Sequence, residues 1–419
     1  MDIREIAQQY TLPNGLQVAL VPGPTETALI RLTICHGSAN ERQGEEGIAH
    51  FVEHVLITGG SEKHSPKAIE GITSGWDMWN ASTGEISTAT WADTLPEDTL
   101  DALQLFASCA YAPSMPLEII ERERRSILNE MYEKRGVLTF SHNLLFHRAL
   151  FSDTIHARDC FGMTDVIETA TREDLLRFHT RGFSPNNSRL TVIGMLPQDI
   201  GSIIEQTCGG FAQGAAEPLE YPRAPRLTQQ LRFNVAAPDL TNGEEGARAG
   251  IYLGFIAAPA PEPGSAALTL LTEILGGHMY SRLGSLRHSG GLTYGAQASY
   301  SGLENQGAIV VKAMVPAAET ERALKGVFDE FERLREEEIP AQELALAKRR
   351  FRIGIARQHQ GNSALSYELS ILNDFGLTHA ELMEQVYAQT PQDLQKAARE
   401  FLPGRDGNYV LMIRDPSLD

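Results

Sequence analysis

The second half of this chain repeats the order of the first, and that repeat limits what it can fold into. A strand-like run at 30–35, a polar loop at 41–47 and an apolar helical run up to Ile57 come first. They recur as a strand-like run at 250–257, a loop at 262–265 and an apolar helical run at 266–275. An offset of 220 residues aligns Gly44 with Gly264 and Glu53 with Glu273. Each copy mixes strand and helix, so the expectation is a duplicated α+β unit. The 419 residues suffice for two to four domains, each with a full core. Between the copies gather Gly-Gly, Ala-Ala and the prolines of Tyr221-Pro222-Arg223-Ala224-Pro225. Such punctuation reads as a linker over 211–226, joining domains at 1–210 and 227–419.

Only the first copy carries chemistry on its apolar helix. His50-Phe51-Val52-Glu53-His54 puts two imidazoles and a carboxylate where a core helix would carry Leu or Ile. At the same offset His50 and His54 fall on Leu270 and Ile274. Positions i, i+3 and i+4 of an α-helix share a face, so the three side chains converge. Two histidines one turn apart can take adjacent corners of a zinc tetrahedron, with the glutamate beside a water in the open position. H-x-x-E-H is the inverted zincin order.

Charge and cysteine usage remove other classes. With 54 acidic against 36 basic side chains, net −18, the chain lacks the basic footprint of a general nucleic-acid binder. A cationic peptide ligand is permitted, although a solubility surface is the simpler explanation. Cys35, Cys109, Cys160 and Cys208 form no C-x-x-C pair and read as isolated reduced thiols. The first residues show no basic segment followed by an apolar one, and no run approaches the ~18 apolar residues of a membrane span. The expectation is a cytoplasmic protein that engages no membrane.

Along the chain, Asn14-Gly15 between two strand-like stretches signals a hairpin. The Thr-, Ser- and Trp-rich run 79–91 suits a strand, and 189–194 a buried one. Helical patterns cover 95–110, 116–135 and 164–182, with Pro116 at the start of the second. A catalytic zinc usually takes three protein ligands. Glu123 and Glu130, seven apart on the 116–135 helix, share a face, so one can bind metal while the other orients a histidine. Spacing does not choose between them. It is equally compatible with a solvated face on which these glutamates pair with Arg122, Arg124 and Arg125.

Gly37-Ser38-x-x-Glu41, Gly47-Ile48-Ala49-His50-Phe51-Val52-Glu53-His54, Asn80-Ala81-Ser82-Thr83-Gly84-Glu85, and Glu123 with Glu130 together resemble the M16 (pitrilysin) zinc metallopeptidases. The ordered set makes coincidence negligible where a bare H-x-x-E-H would not. The resemblance covers nearly the whole chain, in the manner of the short bacterial-type M16B subunits. It implies an α+β fold of two tandem homologous domains, each a mostly antiparallel sheet covered by helices, as in LuxS and the mitochondrial processing peptidase. It also implies one zinc per chain, with His50, His54 and Glu130 as ligands and Glu123 as the supporting carboxylate. Glu53 is then the general base. Asn80, Ala81, Ser82 and Thr83 resemble the edge strand that binds an extended peptide by backbone hydrogen bonds.

In the second half, the stretch 281–295 resembles the family's Arg/Tyr motif and implies that Arg287 and Tyr294 grip the substrate carbonyl. A guanidinium and a phenol suit a developing oxyanion. Without the resemblance this stretch would read as a turn with a structural Arg and a packed Tyr. The short subclass pairs its subunits around a chamber. Both motifs are present here, which favours a homodimer over a heterodimer with a related M16 subunit. The implied function is endopeptidase action on unfolded peptides. A leader-processing protease is a narrower version, and a non-catalytic structural subunit is the rival. Val52, where Leu is usual, and Ile57-Thr58-Gly59-Gly60 depart from the family pattern and bear on pocket shape, not on the metal.

Overall fold

Pro13 and Asn14 turn the chain so that Gly15 N–H donates to Leu12 O at 2.8 Å, with Gly15 in the left-handed region at φ +86°. That turn sets β1 (Gln8–Thr11) antiparallel to β2 (Gln17–Pro22), as the Asn-Gly signal predicts. The computed structural model describes residues 3–152, 154–216, 219, 223–240, 247–262, 264–288, 295–302, 305–358 and 361–418. The remaining strands are β3 (Ala28–Ile34), β4 (Asp77–Thr83), β5 (Thr88–Thr94), β6 (Ser188–Gly194), β7 (Leu231–Ala236), β8 (Arg248–Ala257), β9 (Gly295–Gly302), β10 (Gly307–Pro316) and β11 (Val410–Asp415).

Six strands form the first sheet in the order β1-β2-β6-β3-β5-β4, and five form the second as β7-β11-β8-β10-β9. Among the described strands, β2–β6 and β7–β11 run parallel and the other pairs antiparallel. The two orders correspond strand for strand once β1 is set aside, so the α+β duplication is a duplication of topology. The chain divides into two units, each assembled from three segments of the sequence. One holds Met1–Gly136, Arg158–Tyr221 and His359–Ser370; the other holds Val137–Ala157, Pro222–Gln358 and Ile371–Asp419.

Within the first unit, helix Ile48–Thr58 (the histidine helix) buries Ile48, Ala49, Phe51, Val52, Val55 and Leu56. They join Ile30, Leu32 and Ile34 of β3 and Leu103 and Phe106 of helix Thr99–Tyr111 in one core. The second unit has its own core, built from Ile251, Leu253 and Phe255 of β8 and from helices Ser265–Gly276 and Thr320–Glu336. No helix among the described residues is long and apolar enough to cross a membrane.

Three details differ from expectation. The run 79–91 is not one strand but the hairpin of β4 and β5, because Gly84 N–H bonds back to Ser87 O at 2.8 Å. The helix expected over 164–182 breaks at Ala170, where Thr171 and Asp174 form a capping box that starts a new helix, Arg172–Thr180. The repeat offset at the apolar helices is 217, not 220. Gly47 at φ +101° and Gly264 at φ +100° are the equivalent left-handed N-caps. His50, Glu53 and His54 therefore correspond to Ala267, Leu270 and Leu271.

Candidate active site

The histidine helix buries Ile48, Phe51, Val52 and Val55 in the core, and its spacing gathers His50, Glu53 and His54 on another face. Its first turn is held by Glu41, whose Oε1 accepts from both the Gly47 and Ala49 N–H groups at 2.9 Å. These are amides that a helix start otherwise leaves without partners. Burial pushes the Glu41 carboxyl up to about 8, against the pull of the two amide donors and of Arg158.

Helix Leu117–Gly136 (the glutamate helix) begins after Pro116 and buries Ile119, Ile120, Ile127 and Met131. On it, Glu123 and Glu130 reach the histidines. One ligand atom each from His50, His54 and Glu130 lies within 4.8 Å of the others. Glu130 Oε2 stands 3.6 Å from His50 Nε2 and 3.7 Å from His54 Nε2. Both Nδ1 atoms are engaged elsewhere, His50 with Glu53 Oε2 at 3.3 Å and His54 with Glu123 Oε2 at 3.2 Å. A histidine whose Nδ1–H is held by a carboxylate presents a bare Nε2 to a metal. His50 Nε2 is buried and has no hydrogen-bond partner, an orphan that a cation would satisfy. The donor set of two imidazole nitrogens and one carboxylate oxygen fits zinc with one position left open.

Electrostatics tie the outer carboxylate to its histidine. Burial lowers the affinity of His54 for a proton, but the Glu123 hydrogen bond and the charges of Glu53, Glu123 and Glu130 outweigh it and raise its pKa. For Glu123 burial acts upward, and donation from His54, Arg122 and Thr58 overcomes it, leaving the carboxyl below its usual range. Arg122 closes on the other Glu123 oxygen at 2.9 Å. The Phe161 ring stands edge-on to His50 at 5.2 Å.

The edge strand β4 packs on the histidine helix, and no strand among the described residues pairs on its far side. Asn80 Oδ1 turns back to the Ala81 N–H at 2.8 Å, Ala81 is buried and Ser82 is exposed. Thr83 Oγ1 donates to Glu53 Oε2 at 2.8 Å. Beside Glu53 lies a small apolar pocket walled by Ile34, Leu56, Ile57, Trp79 and Phe106. Spacing missed the contacts of Glu41, Thr83 and Phe161. Glu41 and Thr83 stand in the motifs quoted above, but nothing in those motifs marks a side-chain role, and no sequence signal marks Phe161. Arg287 lies on helix Arg282–His288, and Tyr294 lies outside the described residues.

A duplicated α+β fold with a His-His-Glu cluster in one copy defines a two-domain protein with, among the described residues, a single candidate metal centre. The insulinase (peptidase family M16) model matches residues 17–158, and the peptidase M16 inactive domain matches 169–351. The chain belongs to peptidase family M16. An uncharacterized zinc protease of Streptomyces coelicolor is 24% identical, covering 96% of this chain and 89% of its own. The mitochondrial-processing peptidase subunit beta of Dictyostelium discoideum is 25% identical over 48% of this chain and 43% of its own. The crystal structure of a protease from Helicobacter pylori has a TM-score of 0.85 at 20% identity, covering 98% of this chain and 99% of that one. At such identity the likeness is one of fold.

Proposed function

We propose that this chain is a zinc-dependent endopeptidase acting on unfolded peptides, with His50, His54 and Glu130 holding one metal ion and Glu53 as general base. The observation that carries the reading is the approach of three ligand atoms to within 4.8 Å of one another around the orphaned His50 Nε2. Zinc there supplies a Lewis acid and acidifies water at the site. Glu53 takes the proton of the attacking water and returns it to the nitrogen of the leaving amine. Glu123 keeps the His54 ring in its orientation. The free edge of β4 at 80–83 offers backbone groups to an extended peptide, so recognition rests on the main chain more than on side chains.

Arg287 and Tyr294, supplied by a second copy of the chain, complete the site by gripping the carbonyl oxygen as its charge develops. The presence of both motifs in one sequence supports a homodimer over a heterodimeric arrangement. The wording "inactive domain" for the match at 169–351 is consistent with a second copy that binds no metal. The rival reading, a structural M16-like subunit without turnover, makes the opposite prediction in a single experiment. Zinc content and cleavage of a basic peptide library are measured with and without chelator, beside Glu53→Gln. The proposal expects one zinc per chain, chelator-sensitive cleavage, and a loss of about 10²–10⁴ in kcat for the variant with zinc retained. Equal cleavage by Glu53→Gln overturns the mechanism, and zinc without turnover favours the structural subunit.

A further inference from the structure

Glu53 has two carboxylate oxygens, and the structure treats them differently. Oε2 accepts from Thr83 Oγ1 at 2.8 Å and also meets His50 Nδ1 at 3.3 Å. Among the described residues, no hydrogen bond engages Oε1. Thr83 is the last residue of β4, paired with Thr88 on its inner side, and the Thr88 hydroxyl is spent on His36 O at 2.8 Å. Side chains alternate along a strand, so Thr83 shares the face of buried Ala81, towards the histidine helix, while Asn80 and Ser82 face away.

We infer that Thr83 is a positioning residue that anchors Oε2 of Glu53 and leaves Oε1 to take the proton. The strand that would pair with the peptide then also aims the group that acts on it. This inference rests on the reading of Glu53 as general base. A glutamate has three rotatable bonds, and its reach to a proton depends on which rotamer is held. Fixing one oxygen from two sides removes that freedom before substrate arrives. As the C–O bond forms, the carbonyl π pair moves onto the carbonyl oxygen, the electron pair of the water O–H bond stays on the attacking oxygen and the proton passes to Oε1. When the C=O bond re-forms, the C–N bond breaks, its electron pair leaves on nitrogen and that pair takes the same proton.

Thr83→Val removes the donor while keeping a β-branched side chain of the same shape, suited to a strand. Thr83→Ser keeps the donor and loses a methyl group. The test uses the full zinc-loaded chain, a library of basic fluorogenic peptides, and crystal structures of the wild type and Thr83→Val. Misplacing a reacting group by about 1 Å costs ~10²-fold, so Thr83→Val is expected to lose about 100-fold in kcat. Its KM should stay within about threefold, since peptide pairing by the strand backbone is untouched. Zinc content should remain one per chain, and Thr83→Ser should recover most of the rate. The variant crystal should show the Glu53 carboxylate turned away from its wild-type position. Wild-type kcat in Thr83→Val, no rescue by Ser, or an unmoved Glu53 each overturns the inference. If the wild type cleaves nothing, the peptidase reading fails, while the two crystal structures still decide whether Thr83 is the anchor.

Discussion

His50 and His54 turn Nε2 towards the same carboxylate because each Nδ1 is already held, one by Glu53 and one by Glu123. Glu123→Ala should therefore leave the fold intact and weaken zinc binding about 10- to 100-fold, as competition against a chelator would measure. Part of this was legible in the sequence. The two histidines and Glu53 are bound together by helical spacing, which is local and needs no tertiary information. The choice between Glu123 and Glu130 is not local, because both lie on one face, and packing alone sends one to the His54 Nδ1 side and the other to the Nε2 side. Glu41 carries a second prediction at this scale. Its carboxyl, at about 8 in the fold, holds a proton that the unfolded chain releases near the ordinary value of 4.5. The native state binds more protons between those values, so stability contributed by this group falls as pH rises from about 4.5 to 8. Glu41→Gln keeps an oxygen for the Gly47 and Ala49 amides and cannot titrate. The fall in Tm from pH 5 to pH 8 should be smaller in the variant than in the wild type. A steeper fall would contradict the assignment.

At the scale of elements, the entrance to the histidine helix is the constrained point. Gly47 sits at φ +101°, and a Cβ there would lie 2.7 Å from Phe161 O and 3.0 Å from Gly162 Cα. Gly162, at φ +73°, is as tightly placed, 2.0 Å from Glu46 O for the same added atom. These two glycines let the 159–163 loop lie against the helix start and so deliver Phe161 to the His50 ring. Gly47→Ala should cost about 1–3 kcal/mol, read as a lower urea midpoint at unchanged m-value. Elements with strong local signals were legible: the Asn14-Gly15 hairpin, the apolar side of the histidine helix, and the glutamate helix after Pro116. Helix Leu138–Phe151 gave no such signal, because Leu138, Phe140, Leu144, Leu145, Phe146 and Leu150 do not keep to one stripe. Its assignment depends on a distant partner. Phe146 lies over Gly254 of β8, where a Cβ would come within 2.6 Å of its ring, and that packing ties 137–157 to the second unit.

For the whole molecule, duplication separates two tasks. The second copy keeps the sheet order and the left-handed N-cap but fills the positions of His50, Glu53 and His54 with Ala267, Leu270 and Leu271, all buried in its core. Those three side chains carry no metal-ligating atom, and under the proposed function that copy contributes Arg287 and Tyr294 instead. A homodimer in which each metal faces the partner's Arg287 makes a prediction that a self-contained site does not. Glu53→Gln and Arg287→Ala homodimers should each be nearly inactive. After their subunits are mixed and exchanged, half of the dimers are heterodimers. In each of these, the Glu53 of one subunit meets the Arg287 of the other at one of its two sites. Activity should return to about a quarter of the wild-type value, set by the two-fold symmetry of the pairing. If each chain completed its own site, every chain in the mixture would still lack one of the two residues. Activity would then stay at the level of the separate variants.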